Sequence, residues 1–308
     1  MFIEKRKTKT GIKYYLTHSY RKEGKVKKIR KYLGKDPPKK ELEEKKEKAK
    51  EKIKEEIKEI RTEIFNFALK SEEIKKLNDL SEVKIKHLDK SDWEKFEEDF
   101  VYNTNAIEGS TVKLDEVKTI LQEKPKTNDP EERETLNVSE AIEFVKNNQE
   151  IDLSLDLIKR LHQICFKGSK SFAGQFREKE VVIRNPKGEV VHRGVPPDEV
   201  KNYLKEMLEW YKDNKDKFRP IVLASLVHNQ FEHIHPFEDG NGRVGRLLLN
   251  FILLKNDYPP INIYLENRRE YYDCLKEYSD KHKIKPTVIF LIKQYKKTLN
   301  KETTDSEK

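Results

Sequence analysis

Residues 235–246 read His-Pro-Phe-Glu-Asp-Gly-Asn-Gly-Arg-Val-Gly-Arg, and they hold the densest chemistry in the chain. Gly240-Asn241-Gly242 lies between two helical patterns. Gly and Asn tolerate backbone angles that gather successive N–H groups into one concavity. A helix starts directly afterwards, so its free N–H groups and dipole point at the same place. Such a place holds an anion. Arg243 and Arg246 are spaced i, i+3 in the first helical turn. Cations there oppose the helix dipole at roughly 0.3–1 kcal/mol each, so a structural helix start favours Asp or Glu instead. Two arginines over an anion nest make sense when phosphates occupy it. Asp239 adjoins the nest, and a carboxylate beside a polyphosphate suits one Mg²⁺ completed by waters and phosphate oxygens. His235, with an unperturbed pKa near 6.5, suits removal of a proton from a hydroxyl nucleophile. Phe237 between them is expected to point into the core and anchor the loop.

Two other readings of the same residues fail on their surroundings. Gly240-x-Gly242-x-x-Gly245, with Glu266 about 20 residues on, matches a dinucleotide-binding fingerprint. That fingerprint needs a strand ending just before the first glycine. Here the preceding RPIVLASLVHNQFEHIH is a helical pattern, and no parallel sheet follows. His228, His233, His235 and Asp239 could be drawn as a zinc cluster, but positions 233 and 235 face different sides of a helix.

The elements that must position this loop are mostly helices. Ser154 caps LDLIKRLHQICF, Pro196-Pro197-Asp198 opens a helix through Trp210, and Pro220 opens one through about Ile234. Gly242 to Leu254, Tyr271 to Tyr278 and Thr287 to Leu299 complete the series. Glu180 to Ile183 and Val190-Val191, around Asn185-Pro186-Lys187-Gly188, read as a lone β-hairpin. A hairpin alone is marginal in water, so it leans on something or receives something. Upstream, ELEEKKEKAKEKIKEEIKEI carries Ile53, Ile57, Ile60, Ile64 and Phe67 at helical spacing. This is one narrow apolar stripe on a long charged helix, read as a surface helix laid on a core.

The chain of 308 residues has a net charge of +9 and a mean hydropathy of −0.93. Residues 1–36 carry 13 basic and 3 acidic side chains, whereas the other 272 residues are nearly balanced. That segment reads as a small basic β-meander with turns at Gly11 and Glu23-Gly24. Its cations and Tyr14, Tyr15, Tyr20 and Tyr32 would suit phosphate contact and base stacking, or docking to an acidic partner. Leu, Ile, Val and Phe make up about 27% of the chain, above the level typical of disorder. The longest apolar run, 247–254, is too short to span a bilayer, and MFIEKRKTKT lacks an apolar signal region. Two cysteines without a CxxC spacing suit a reducing cytoplasm.

HPFEDGNGRVGR resembles the signature of the Fic-domain family, HxFx[D/E]GNGRxxR, with every specified position filled. AGQFR at 173–177, the hairpin and PPDEV at 196–200 are also similar to family features. The resemblance spans roughly residues 90–296. It implies a mainly α fold, a helical bundle with one β-hairpin flap, here preceded by the basic β-meander. The organisation expected is 1–36 meander, 37–89 charged helix and linker, 90–296 catalytic core and 297–308 disordered tail. It also implies transfer of AMP from ATP, with Mg²⁺, to a Ser, Thr or Tyr hydroxyl of a target protein or of the chain itself. On that basis His235 deprotonates the hydroxyl and Asp239 holds Mg²⁺ on the α- and β-phosphates. Gly240, Asn241 and Gly242 bind phosphate oxygens, Arg243 the β-phosphate and Arg246 the γ-phosphate. Tyr272 and Leu275 resemble the adenine wall. Val181, Val182 and Ile183 resemble the flap strand where a target segment docks.

Thr104-Asn-Ala-Ile-Glu108-Gly109 resembles the family's inhibitory helix, [S/T]xxxE[G/N], placed N-terminal to the core. Glu108 would compete with the γ-phosphate for Arg246. The expectation is a self-inhibited adenylyltransferase. The same site run backwards would remove AMP, and UTP or another nucleotide could replace ATP. Family members often regulate through dimers, which adds a second copy of the chain to the expected partners. A nucleic-acid-binding regulator acting through residues 1–36 is the reading from a different functional class.

Overall fold

The computed structural model describes all residues except 9, 23–24, 62, 65–66, 185–189 and 305–308. Side chains are described except at those residues and at 20–26, 55, 57–68, 183–192 and 302–304. The chain divides into two compact units, Met1–Lys70 and Ser71–Lys308.

In the first unit β1 (Phe2–Thr8), β2 (Gly11–Lys22) and β3 (Lys25–Lys35) form an antiparallel meander in the order β1-β2-β3. Helix α1 (Lys39–Arg61) lays Leu42, Ala49 and Ile53 on Tyr14, Leu16, Ile29 and Leu33 of that sheet. The narrow stripe therefore has a purpose: one row of apolar residues suffices to cover a three-stranded sheet. The expected helical spacing out to Phe67 ends early, because α1 stops at Arg61 and the two-residue strands β4 (Glu63–Ile64) and β5 (Phe67–Ala68) follow. Of the stripe's residues, the side chains of Ile57, Ile60, Ile64 and Phe67 lie outside those described. The turn at Glu23-Gly24 and the hairpin tip at 185–188 likewise lie outside the described residues.

The second unit is helical. Its helices are α2 (Ser71–Leu80), α3 (Lys90–Ile107), α4 (Leu114–Glu123), α5 (Pro130–Asn147), α6 (Leu155–Phe166), α7 (Val200–Asn214), α8 (Pro220–Ile234), α9 (Asn241–Lys255), α10 (Arg268–Lys281) and α11 (Lys285–Thr304). Helices α8 and α9 pack on each other at the centre, with α5 and α6 against α9 and with α7, α10 and α11 against α8. Both central helices are buried nearly all round, polar residues such as His228, Asn229 and Asn250 included. Ser154 caps α6 through a 3.2 Å bond to the Leu157 N–H, and Pro220 opens α8 as its sequence predicts. The fold is thus mainly α, with β6 (Val182–Arg184) and β7 (Val190–Arg193) as its hairpin.

The disordered tail expected over 297–308 is helical as far as Thr304. Its polar composition hides an inward face: Thr298 is buried, donates to Gln294 and receives the Asn262 N–H. No described helix is long and apolar enough to cross a membrane.

Candidate active site

The site grows from the junction between α8 and α9. Helix α8 ends at Ile234, and His235 adopts the left-handed conformation (φ 52°) with its N–H bonded to the Phe231 carbonyl at 2.9 Å. A non-glycine residue held there stores backbone strain, which surrounding contacts must over-determine. Arg177 supplies those contacts. Its buried guanidinium donates to the carbonyls of His235 (2.6 Å), Ile234 (3.3 Å), Lys179 and Val195, and its backbone N–H donates to Pro236. His235 Nδ1 lies 3.3 Å from the Glu232 carbonyl oxygen. A carbonyl only accepts, so this contact puts the imidazole proton on Nδ1 and the basic lone pair on Nε2.

The loop beyond is stapled from inside. Asn241 accepts the Phe237 N–H at 2.8 Å and donates to the Phe237 carbonyl at 2.9 Å. Phe237 is fully buried, with its ring stacked on His162 at 3.8 Å between centroids. His162 accepts the Gly174 N–H at Nδ1, so its proton sits on Nε2, 3.1 Å from the Asp239 carbonyl oxygen. Burial holds the His162 pKa down to about 4. Gly240 has φ 78°, and a Cβ there would meet the Phe166 ring at 2.1 Å. Only glycine fits that corner.

Helix α9 then begins with its free N–H groups facing the loop. Arg243 is buried, with Nη1 2.5 Å from Glu134 and its guanidinium 4.3 Å from the Phe166 ring centroid. Asp239 is half exposed: Oδ1 receives the Gly240 N–H, and Oδ2 lies 3.8 Å from both Lys170 Nζ and Arg243 Nη2. Among the described residues no three His, Cys, Asp or Glu side chains converge on a metal. A cation here could take Asp239 alone from the protein. That suits a Mg²⁺ ion sharing its shell with phosphates and water, and not a closed zinc cage. His228, the other end of the zinc reading, is instead bonded to the Tyr271 hydroxyl at 2.8 Å.

Arg246 is 2% exposed, and its Nε and Nη2 are engaged by the end of α3. It donates from Nε to Thr104 Oγ1 (2.6 Å), and from Nη2 to the Thr104 carbonyl (2.9 Å) and Glu108 Oε1 (2.7 Å). Burial works against its charge, but the Glu108 carboxylate facing it prevails and holds its pKa above the arginine norm. Glu108 lies at the C-cap of α3, where a negative charge opposes the helix dipole; its ion pair offsets that. The same carboxylate sits in the nest itself: a Cβ on Gly242 would lie 2.1 Å from Glu108 Oε1 and 3.0 Å from Arg246 Nη1. An oxyanion therefore occupies the start of α9, supplied by the chain.

These features fit one known fold family, and the comparison agrees. Residues 152–253, from α6 through most of α9, match the Fic/DOC family. Over those residues the chain is similar to Fic domains. A protein adenylyltransferase Fic of Nematostella vectensis is 28% identical over 208 residues, covering 65% of this chain and 47% of its own. Protein adenylyltransferase fic-1 of Caenorhabditis elegans is 31% identical over 185 residues, 57% of this chain and 35% of its own. The chain thus spans less than half the length of these relatives. The crystal structure of a Fic-domain-containing signalling protein of Bacteroides thetaiotaomicron superposes with a TM-score of 0.63 at 24% identity, covering 75% of this chain and 94% of that one. That likeness is one of fold.

Around this loop the remaining expected residues fall as follows. Tyr272, on α10, is 40% exposed and its hydroxyl lies 3.4 Å from the Ile107 carbonyl at the end of α3. Leu275 follows one turn on and is half buried. Val181 and Val182 are half buried and pair towards β7, with Val182 opposite Arg193 and Ile183 opposite His192; the Ile183 side chain is outside those described. The hairpin base abuts the loop. Val195 N–H bonds to the Ile234 carbonyl, and a Cβ on Gly194 would come within 3.2 Å of His235 Cβ.

Both ends of the Asn241 side chain are committed to Phe237. Its amide is a loop staple, which fixes the turn that leads into α9. Lys170, Glu134, Arg177 and His162 bear on the loop from distant segments, and Glu232 from the last turn of α8. Except for the AGQFR resemblance that includes Arg177, nothing in their spacing marks them. Glu232 Oε1 is buried against Gly245, and burial raises its carboxyl pKa to about 8, Arg246 opposing and Glu108 assisting.

Proposed function

We propose that this chain transfers AMP from ATP to a hydroxyl of a protein, and that Glu108 holds the reaction in check. The observation that carries this reading is the Glu108 carboxylate lying on Gly242 and Arg246. The relatives named protein adenylyltransferases support the same reaction class.

In this reading His235 Nε2 takes the proton of the attacking Ser, Thr or Tyr hydroxyl. The hydroxyl oxygen bonds to the α-phosphorus, the α-phosphorus–oxygen bond to the β-phosphate breaks, and pyrophosphate leaves. The N–H groups that open α9 at Gly242 and beyond face the phosphate oxygens, where fixed donors stabilise developing charge. Arg243, held by Glu134 and Phe166, faces the β-phosphate without having to be ordered at the moment of reaction. Asp239 would hold Mg²⁺, which when bound neutralises charge on the phosphates. Tyr272 and Leu275 would flank the adenine. A target segment would align along the Val181–Ile183 strand by edge pairing.

Glu108 on Arg246 displaces the γ-phosphate. ATP bound around it loses the in-line geometry that phosphoryl chemistry requires. The same carboxylate could instead orient a water that removes AMP, and a reaction in that direction is an outcome of the test below. The two cysteines, Cys165 and Cys274, are buried and unpaired, which supports a reducing, cytoplasmic setting. Pairing with a second copy of the chain is part of the same proposal.

Incubation with α-labelled ATP and Mg²⁺ tests it, comparing wild type, Glu108→Gly and His235→Ala. The reading expects Glu108→Gly to label protein, itself included, far more than wild type, and His235→Ala to label nothing. Absence of label with Glu108→Gly, or equal label with UTP, would overturn the ATP-to-protein assignment. AMP released from a modified protein by wild type and lost in Glu108→Gly would reverse the direction.

A further inference from the structure

The meander has two chemically unlike faces. Tyr14, Leu16, Ile29 and Leu33 point to the side that α1 covers. Successive side chains in a strand alternate faces, so Tyr15, Thr17, Lys28, Arg30 and Tyr32 point to the other. Contacts across the strands confirm the open face. Tyr15 and Tyr32 rings are 5.3 Å apart, the Arg6 guanidinium lies 5.2 Å from the Tyr15 ring, and Lys28 Nζ lies 6.0 Å from the Phe2 ring. Arg30 Nε and Thr17 Oγ1 both donate to Glu4 Oε2, at 3.0 and 3.1 Å.

This face therefore carries three aromatic rings among the cations Arg6, Lys28 and Arg30. Glu4 is the acid among them. Its hydrogen bonds to Arg30 and Arg6 hold its pKa down to about 2, so it stays ionised and orients both guanidinium groups. Tyr32 is 55% exposed and Phe2 48% exposed, so both large rings remain open to solvent. Cations alone would suit any polyanion. Exposed ring faces add a preference for flat, unpaired bases, because a duplex hides its base faces in its own stack.

We propose that the open face of β1–β3 binds a single-stranded nucleic acid, with phosphates on Arg6, Lys28 and Arg30 and bases stacked on Tyr32 and Phe2. No contact on this face is specific to a sugar hydroxyl, so RNA and DNA strands should bind alike. The binding function belongs to the first unit and is independent of any nucleotidyl transfer.

The test is fluorescence anisotropy on the full chain with a labelled single strand of about twelve nucleotides and with its duplex. Three phosphate contacts predict that single-strand affinity falls about 20-fold between about 50 and 200 mM salt. Tyr32→Ala should weaken binding at least about five-fold, and Tyr32→Phe should keep it within about two-fold. Lys54→Gln, which removes a cation on the exposed side of α1, should leave affinity within about two-fold. Tighter binding of the duplex, equal weakening by Tyr32→Ala and Lys54→Gln, or no binding at the lower salt would overturn the proposal.

Discussion

Gly242→Ala places a methyl group where the Glu108 carboxylate now lies, 2.1 Å from Oε1. The backbone of Gly242 is helical, so alanine itself fits and gains about 0.5–1 kcal/mol in helix propensity. The flexible end of Glu108 can swing away, but then Arg246 loses its counterion. Arg246 is 2% exposed and its Nη1 already lacks a partner, so an uncompensated charge would remain inside. Breaking a buried pair in this way costs about 3–5 kcal/mol, giving a net loss of about 2–4 kcal/mol. Urea unfolding followed by tryptophan fluorescence reads it cleanly, since Trp93 and Trp210 both lie in the second unit. In a Glu108→Gly background the clash partner is gone, so Gly242→Ala should be neutral or stabilising there. The two substitutions should thus be strongly non-additive. Unlike Glu108→Gly, Gly242→Ala should not raise AMP transfer, because the methyl fills the anion's place too. A Gly242→Ala protein as stable as wild type, or additive effects, would mean that Glu108 does not occupy the nest.

Three further outcomes follow from buried groups. Burial lowers the pKa values of His162 and His228 from 6.5 to about 4, so the unfolded chain binds protons first; stability from each, up to about 3 kcal/mol, should be present above pH 6.5 and be lost as pH falls to 4. Burial raises the Glu232 carboxyl from 4.5 to about 8, so its neutral form costs stability as pH rises through that window. Glu232→Gln should remove the loss, gaining up to about 5 kcal/mol at pH 8 and above and less where solvent reaches the side chain. Arg177→Lys leaves most of four carbonyls without a donor, and should cost about 2–4 kcal/mol in urea unfolding while displacing the hairpin base from His235.

The loop from His235 to Arg246 was legible because its parts are contiguous. Base, carboxylate, glycine corner and arginines fall within one helix–turn–helix stretch, and helix-terminus physics alone pointed to phosphate. Glu108 is 138 residues from Arg246, and only the family resemblance joined them. Glu134 and Lys170 reach Arg243 and Asp239 through tertiary packing that leaves no period in the sequence. Arg177 looks like one more basic residue until its burial is known. The Asn241 side chain, bonded at both ends to Phe237, staples the loop in a way that no spacing announces. At α1, apolar spacing carried the expected helix past Arg61, because spacing records a stripe and not the point where the chain turns. At the C-terminus, composition suggests disorder, whereas Thr298 faces inward and the helix runs on to Thr304.

The central claim is that Glu108 stands in the place of a phosphate at Arg246 and Gly242. Intact-protein mass spectrometry of Glu108→Gly after exposure to ATP and Mg²⁺ tests it most directly. The account predicts a mass increase of one or more AMP units, absent from wild type and from the Glu108→Gly, His235→Ala double variant. An unchanged mass in Glu108→Gly, with ATP binding no tighter than to wild type, would contradict it.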